Sequence, residues 1–521
     1  MNLRLLLGMA ADGHRNRIAL GTRRNGITFS ELARRAAVGA ALVREEGARH
    51  LVFLGRNGPA VPQLLFAAVG AGIPFTPLNY RLTADRLTRL AARLDDPLVL
   101  ADREYEGVIR SRRSRRADDF LAALDGPGQS GRPDPDLPPG DDATAVLLFT
   151  SGTTSEPKIV PLSHDNLASY VVETVEFGSA DPADCALSAA PPYHIAAVAA
   201  VLSNLYAGRR VVYLPDFDAC RWLHLVREEE VTSAMVVPTM LSRIVEYLGG
   251  RHADTPSLRL LSYGGSRAAP SVVEAAMAVF PGTGFVNAYG LTETSSTVAL
   301  LGPDDHRTAI SSGDPEVRHR LTSVGRPVPG IEIEIRDDAG RVIPPGQRGE
   351  LWLRGPQVSG RYLGSATALD PAGWFPTRDL AYVDSGGYLF IEARLDETII
   401  RGGENIAPAE VEDVLRRHPE VADVAVVGVP DEQWGERMVA AVVRRSGATA
   451  NAQDVREWAR ARLRGSRTPD EIHWVAELPY SPLGKLLRRE VIAGLRMAGS
   501  PRAPGGEEAL VPFPGDHRTG E

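Results

Sequence analysis

Residues 145–158 read AVLLFTSGTTSEPK. The apolar run from Ala145 to Phe149 has the length of a buried strand and is too short for a helix of its own. It leads straight into Thr150, Ser151, Gly152, Thr153, Thr154 and Ser155, and then to Pro157 and Lys158. Hydroxyls and successive backbone N–H groups around a glycine form a concave nest for an anion. A lysine at the end of such a loop adds a compact positive charge suited to phosphate. The loop is not a Walker A loop, because no glycine immediately precedes Lys158. A Ser/Thr-rich surface turn would account for the hydroxyls alone, but the full string is more specific than that.

Outward from this loop, strand and helix patterns alternate. Residues 27–45 carry apolar residues at helical spacing with Ser30 as the expected cap. LVFLG at 51–55 reads as a buried strand, VPQLLFAAVGAG at 61–72 as an apolar helix, TADRLTRLAARL at 83–94 as a further helix and LVLAD at 98–102 as a strand. After the Gly/Pro-rich stretch 126–141, the pattern resumes with RRVVYLP at 209–215, VTSAMVVP at 231–238 and LRLLSYGG at 258–265. Such alternation argues for mostly parallel sheets covered by helices on both faces. From about residue 324 the texture changes to the short strands IEIEIRD, GELWLRG and GYLFIEAR, the pattern of antiparallel β structure. A small α+β unit follows, with helices APAEVEDVLRRH and NAQDVREWARARL around strands VADVAVVGV and MVAAVVRR. The fold class expected is therefore α/β: a large domain over 1–395, with parallel helix-covered sheets and a small barrel-like β part, and a small α+β domain over 396–498. Residues 499–521, rich in Pro, Gly and charge, read as a disordered tail.

Composition narrows the function classes. The chain has 521 residues, 43% hydrophobic and 24% charged, the balance of a soluble globular protein. A formal net charge of −8 gives no electrostatic case for nucleic acid. No apolar run reaches membrane-spanning length. The first residues, MNLRLLLGMAADGHR, read as an amphipathic helix rather than a signal peptide, because Arg4 interrupts a short apolar stretch. Two cysteines, Cys185 and Cys220, fit a reducing cytoplasm rather than a disulfide framework. Of 58 basic residues only Lys158 and Lys485 are lysines. Arginine-rich codon usage is part of that bias. The two lysines that remain sit in the hydroxyl loop and in LPYSPLGK, and ammonium and guanidinium groups are not interchangeable at a phosphate.

FTSGTTSEPK resembles the phosphate loop of the adenylate-forming superfamily, which includes acyl-CoA synthetases, adenylation domains of peptide synthetases and firefly luciferase. The resemblance covers nearly the whole chain, in order: TFSEL at 28–32, GAGIPFTPLN at 70–79, APPYHIAAV at 190–198, SYGGS at 262–266, NAYGLTE at 287–293, GWFPTRDLAYVDSGGYLFIEARLDE at 373–397, IIRGGENIAPAEVE at 399–412 and LPYSPLGK at 478–485.

The resemblance implies a reaction in two halves and a role for each position. Ser151, Gly152, Thr153, Thr154 and Lys158 would hold the β- and γ-phosphates of ATP. Glu293 would bind Mg²⁺, and Thr292 would meet the α-phosphate. The segment Asn287, Ala288, Tyr289 and Gly290 would bind adenine, with the Asn287 amide at the amino group and Tyr289 stacked on the ring. Asp379 and Arg394 would take the ribose hydroxyls. Lys485 would bridge the substrate carboxylate and the α-phosphate as a mixed acyl-AMP anhydride forms and pyrophosphate leaves. The small domain would then swing about Asp396, bringing Gly402, Gly403 and Glu404 to line the pantetheine arm of coenzyme A. His194 would gate the acyl pocket, formed with Ala197, Tyr263, Gly264, Gly265 and Ser266. Each position also has a plain reading: a core tyrosine, a surface ion pair, a hairpin turn at Gly402-Gly403, a packed histidine.

The chain departs from the family pattern at four places. Ser155 and Arg378 stand where glycine is usual, ARLDE replaces the usual GRxKD or GRxDD, and Leu483 precedes the Gly-Lys pair in place of a small hydroxyl residue. Arg378 is the large change, since it adjoins Asp379 and glycine there would supply special backbone angles. Two readings follow: a complete ligase, or one that takes acyl-AMP from a separate adenylating enzyme and only forms the thioester. Loading of a carrier protein instead of CoA is a third, and a non-enzymatic nucleotide-binding protein a distant fourth. The alanines at 196, 197, 199 and 200 imply a roomy apolar pocket for a bulky aryl, alicyclic or terpenoid-like carboxylic acid, although tight helix packing would use them equally. The expected cofactors are ATP, Mg²⁺ and coenzyme A; neither nucleic acid nor membrane is an expected partner.

Overall fold

The structure is a computed structural model that describes residues 1–125, 143–150, 157–402, 404–431, 433–463, 465–481 and 485–497. The expectations for 126–141, for the tail 499–521 and for Leu483 lie outside these residues. Among the described residues the chain divides into two compact units, Met1–Ile333 with Trp352–Pro376, and Glu334–Leu351 with Thr377–Glu521.

Two helix-covered sheets organise the first unit. In the nine-stranded sheet, six neighbouring strands are parallel: Gly284–Leu291, Leu260–Gly264, Ser233–Val236, Cys185–Ser188, Arg210–Tyr213 and Ile18–Gly21. Antiparallel strands close both edges. The six-stranded sheet runs Arg113–Arg116, Pro97–Ala101, His50–Leu54, Phe75–Pro77, Thr144–Thr150, Lys158–Ser163, and only its last pair is antiparallel. The apolar runs read as strands and helices from the sequence occupy the expected places: His50–Leu54, Ala60–Ala71, Ala84–Ala91 and Pro97–Ala101. The opening stretch is an amphipathic helix, Leu3–Gly13, that buries Leu3, Leu6, Leu7, Ala10 and Ala11. One local expectation is corrected. The helix Phe29–Glu45 is capped by Thr28, whose hydroxyl accepts from the Glu31 N–H at 3.2 Å, and Ser30 is already inside the first turn. Thr28 has extended backbone angles, as a cap requires, and its side chain reaches three residues on.

The short strands after 324 form a four-stranded sheet of Glu332–Arg336, Gly349–Arg354, Phe375–Val383 and Leu389–Arg394. In the second unit, a five-stranded sheet is built on the long antiparallel pair Val421–Asp431 and Gly435–Arg444. One face packs Val424, Val426, Met438 and Val442 with Val411 and Leu415 of the helix Pro408–Leu415. The opposite face packs Ala425, Val427 and Val439 with Val491 and Leu495 of the helix Arg488–Met497. The alternation VADVAVV fills both cores from one strand, each fully buried valine contributing about 1.5–3 kcal/mol.

Candidate active site

The hydroxyl loop joins two antiparallel strands at a sheet edge. Thr150 pairs with Lys158 in this hairpin; Ser151, Gly152, Thr153, Thr154 and Ser155 are outside the described residues. Lys158 is exposed at the mouth of the hairpin, and its Nζ lies 4.3 Å from the centre of the Tyr362 ring. The Tyr362 hydroxyl donates to Glu293 Oε1 at 2.8 Å. The segment carrying Tyr362 is tied to both neighbours. Leu363 N–H donates to the Ile159 carbonyl at 2.9 Å, and Ser359 N–H to the Glu293 carbonyl at 2.8 Å. Cation and carboxylate are thereby brought to one place by a tyrosine far along the chain.

Glu293 sits in a single 3₁₀ turn, Thr292–Thr294. Thr294 is fully buried and its hydroxyl accepts from the Leu291 N–H at 2.9 Å. The Gln357 amide donates to the carbonyls of Thr294 and Thr297, each at 2.9 Å. This clamp fixes the turn while leaving Thr292 and Glu293 half-buried. The preceding strand, Gly284–Leu291, carries Asn287, Ala288, Tyr289 and Gly290. The Asn287 amide nitrogen donates to the Ser323 carbonyl at 2.9 Å, which turns the amide oxygen into the available acceptor. Gly290 is obligatory here, because a Cβ would fall 1.8 Å from the Ser296 carbonyl oxygen. Gly264 pairs with Ala288 in the neighbouring parallel strand, followed by Gly265 with φ +84° and Ser266. Tyr263, expected at the acyl pocket, has a buried side chain whose hydroxyl bonds His306 Nε2 at 2.9 Å. Its contribution at that edge is therefore backbone.

His194 caps the start of the helix Ile195–Ala207 without a side-chain bond to it. Its ring lies 4.5 Å from that of Tyr193, and Nε2 is shielded and has no partner. Burial, with Arg81 adding to it, pushes its pKa down to about 3, so the imidazole is neutral. Ala197, one turn along the helix, is buried. Glu293, with one oxygen taken by Tyr362, fits Mg²⁺, which needs one or two protein carboxylates and takes its other oxygens from phosphates and water. Among the described residues no group of three or more His, Cys, Asp or Glu side chains is placed to hold a metal ion.

In the second unit, Asp379 pairs with Arg394 across the hairpin Phe375–Val383 and Leu389–Arg394. Arg394 Nε lies 2.9 Å from Asp379 Oδ1, and the Asp379 side chain is buried. Arg378, next to it, has φ +65°, the left-handed region that glycine enters freely. Its N–H donates to Glu350 Oε1 at 3.2 Å and its carbonyl accepts from the Leu395 N–H at 2.8 Å. The turn is thus kept with arginine in it. Asp396 is exposed in the turn that follows. Gly402, with φ +56°, stands in a tight hairpin in which Arg401 pairs with Glu404; Gly403 is outside the described residues. Glu404 is bound by Arg467 at 2.9 Å. Lys485 Nζ lies 3.9 Å from Glu397 Oε1, and its N–H donates to Ser481 Oγ at 3.0 Å.

The family model of AMP-binding enzymes matches residues 8–363, and that of the AMP-binding enzyme C-terminal domain matches residues 410–485. The chain belongs to this family, within the adenylate-forming superfamily, and its class is that of AMP-forming acid–thiol ligases. Among its relatives, a feruloyl-CoA synthase of Amycolatopsis sp is 35% identical over 478 residues, covering 89% of this chain and 93% of the relative. A fatty acid–[acyl-carrier-protein] ligase of Streptomyces coeruleorubidus is 32% identical, covering 85% and 86%. The o-succinylbenzoate CoA synthetase of Bacillus subtilis, solved with its acyl-adenylate intermediate, matches with TM-score 0.80 at 28% identity over 93% of this chain and 97% of that one. No helix among the described residues is long and apolar enough to cross a membrane.

Sequence reasoning missed Tyr362, Gln357 and Ser323. Only Tyr362 has a visible signal, a tyrosine in the polar stretch SGRYLGS.

Proposed function

We propose that the protein activates a carboxylic acid with ATP and transfers the acyl group to coenzyme A. The observation that carries this reading is the Lys158–Tyr362–Glu293 arrangement at the mouth of the hydroxyl hairpin. Lys158 and the loop hydroxyls hold the β- and γ-phosphates as fixed donors, which lowers the repulsion between an incoming carboxylate and the polyphosphate. Glu293 holds Mg²⁺, which when bound neutralises charge on the phosphate oxygens. The free Asn287 oxygen accepts from the adenine amino group, Tyr289 stacks on the ring, and Thr292 meets the α-phosphate. Asp379, oriented by Arg394, accepts the ribose hydroxyls. Lys485 balances the charge that builds as carboxylate and α-phosphate join. The carboxylate oxygen bonds to the α-phosphorus, the bond to pyrophosphate breaks, and an acyl-adenylate results.

In the second half-reaction the thiolate sulfur of CoA attacks the acyl carbon and AMP departs. Gly402, Gly403 and Glu404 line the pantetheine arm, and rotation at Asp396 exchanges this loop for Lys485. The acid is bulky and largely apolar, lodged beside neutral His194 and Ala197. Feruloyl-CoA synthase as a relative supports CoA as acceptor; the carrier-protein ligase among the relatives keeps carrier loading as the alternative.

The test is mass-spectrometric detection of acyl-CoA from a panel of bulky acids, supplied as acid, ATP and CoA or as synthetic acyl-AMP and CoA. Thioester from both supplies supports the complete reaction. Thioester from acyl-AMP alone assigns the ATP step to another enzyme, the reading that Arg378 raised.

A further inference from the structure

Two shielded polar atoms lie at one edge of the nine-stranded sheet with no hydrogen-bond partner among the described residues. One is the Tyr213 hydroxyl, at the end of the strand Arg210–Tyr213. The other is His194 Nε2, at the head of the helix Ile195–Ala207. The chain runs from the strand Cys185–Ser188 through this helix into the parallel strand Arg210–Tyr213. In such a crossover the helix starts where both strands end, so His194 and Tyr213 share the C-terminal edge of the sheet.

Side-chain alternation fixes the face. Val211 and Tyr213 point to the same side, and both pack in the cluster that holds Val198, Val201, Leu202 and Leu205 of that helix. Tyr213 therefore lies under the helix that begins at His194. Its ring keeps partial exposure while its hydroxyl oxygen is closed from solvent, and burial pushes the phenol up, so it is neutral. The contrast with Tyr263 is direct: that buried hydroxyl is spent on His306. The Tyr193 hydroxyl is also unbonded but packs in a different cluster, beside Tyr80.

Buried hydroxyls in folded proteins are almost always bonded, and parallel α/β sheets take their ligands beyond the C-terminal strand ends. We infer that the acyl group of the substrate carries a hydroxyl or oxo oxygen remote from its carboxylate, and that the Tyr213 hydroxyl hydrogen-bonds it, with His194 as a second polar neighbour. The inference rests on the acid-activating reading above and sharpens its substrate to an oxygenated bulky acid. A site built to bond a substrate oxygen discriminates strongly against the analogue lacking it, because its own polar group is left unpaired.

The experiment compares matched acids, cinnamic with 4-hydroxycinnamic and cyclohexanecarboxylic with 4-oxocyclohexanecarboxylic, by kcat/KM for thioester formation in wild type and Tyr213→Phe. The expected result is a preference of roughly tenfold or more for the oxygenated member of at least one pair, falling to about unity in Tyr213→Phe. Equal use of both members of every pair by wild type, or a preference that survives the substitution, overturns the inference. Thermal melting checks that the variant folds, and Tyr213→Met repeats the comparison if it does not. Thioester from none of the acids defeats the ligase reading instead. In that event the thermal shift produced by each free acid with ATP reads the same preference without turnover.

Discussion

The Tyr362 hydroxyl donates a 2.8 Å hydrogen bond to Glu293 and leaves that carboxylate one free oxygen. The same ring presents its face to Lys158. Tyr362→Phe keeps the ring and removes the bond to a charged group, worth about 1.5–3 kcal/mol. Pyrophosphate release is expected to fall at least about tenfold at low Mg²⁺, with partial recovery as Mg²⁺ is raised. An unchanged Mg²⁺ titration would show that Tyr362 is only packing. Tyr362→Leu is expected to be worse, because it also strips Lys158 of the ring.

The proposed function places Lys485 in the first half-reaction only. Lys485→Ala is expected to reduce pyrophosphate release by about a hundredfold or more, the scale of losing a group that faces developing charge. Thioester formation from synthetic acyl-AMP should stay within a few-fold of wild type. Equal losses in both assays would place the lysine in a structural role.

Arg378 holds a left-handed backbone conformation that costs an L-residue roughly 1–2 kcal/mol. Arg378→Gly should therefore raise stability by about 1 kcal/mol, read as a higher denaturation midpoint. If pyrophosphate release does not rise with it, arginine is a tolerated resident of the turn and the acyl-AMP-only reading loses its motive.

Acid stability should reflect Glu412. Burial alone raises this carboxyl, but Arg488 and Arg416 hold it below the ordinary carboxylate range. A depressed carboxyl contributes stability that is fully present above its unfolded value of about 4.3 and is lost as pH falls through the folded value. Glu412→Gln should flatten this acid limb and cost about 3 kcal/mol at neutral pH, because two arginines lose a buried partner. Circular dichroism melts from pH 3 to 8 would read both effects; an unchanged acid limb would contradict the assignment.

His194 adds a second acid-sensitive term with the same sign. Its folded pKa of about 3 lies below the unfolded value, so its contribution is full above about pH 6.5 and declines on acidification. Because it remains neutral through the assay range, no inflection near 6.5 from His194 is expected in kcat. Comparing the pH profile of His194→Asn with wild type checks this: an inflection abolished by the substitution would show that the imidazole titrates in the working enzyme.

Much of the fold was legible because its strands are continuous apolar runs and its helices carry periodic ones. The Val421–Asp431 strand is an example, with every other residue assigned to one of two cores. The cap at Thr28 was misread because two hydroxyl residues flank Phe29 and only geometry selects between them. Candidate residues held within one motif, such as Asn287 to Glu293, could be proposed as a group because one strand and the 3₁₀ turn after it carry them all. Tyr362, Gln357 and Ser323 could not, because each acts through a contact made by distant chain segments; a single Gln or Ser carries no pattern, and the polar surroundings of Tyr362 do not name its partners. The buried Glu412 looked like an ordinary helical glutamate, since nothing in APAEVEDVL says which acid faces the sheet.

The Glu397–Lys485 contact has an electrostatic consequence. The second unit supplies a counterion for Lys485, the lysine proposed to act at the carboxylate, from one residue beyond the exposed residue Asp396. An ammonium held in this way meets an incoming anion by trading one carboxylate for another. The exchange is local to the second unit, because Lys485 and Glu397 both belong to it.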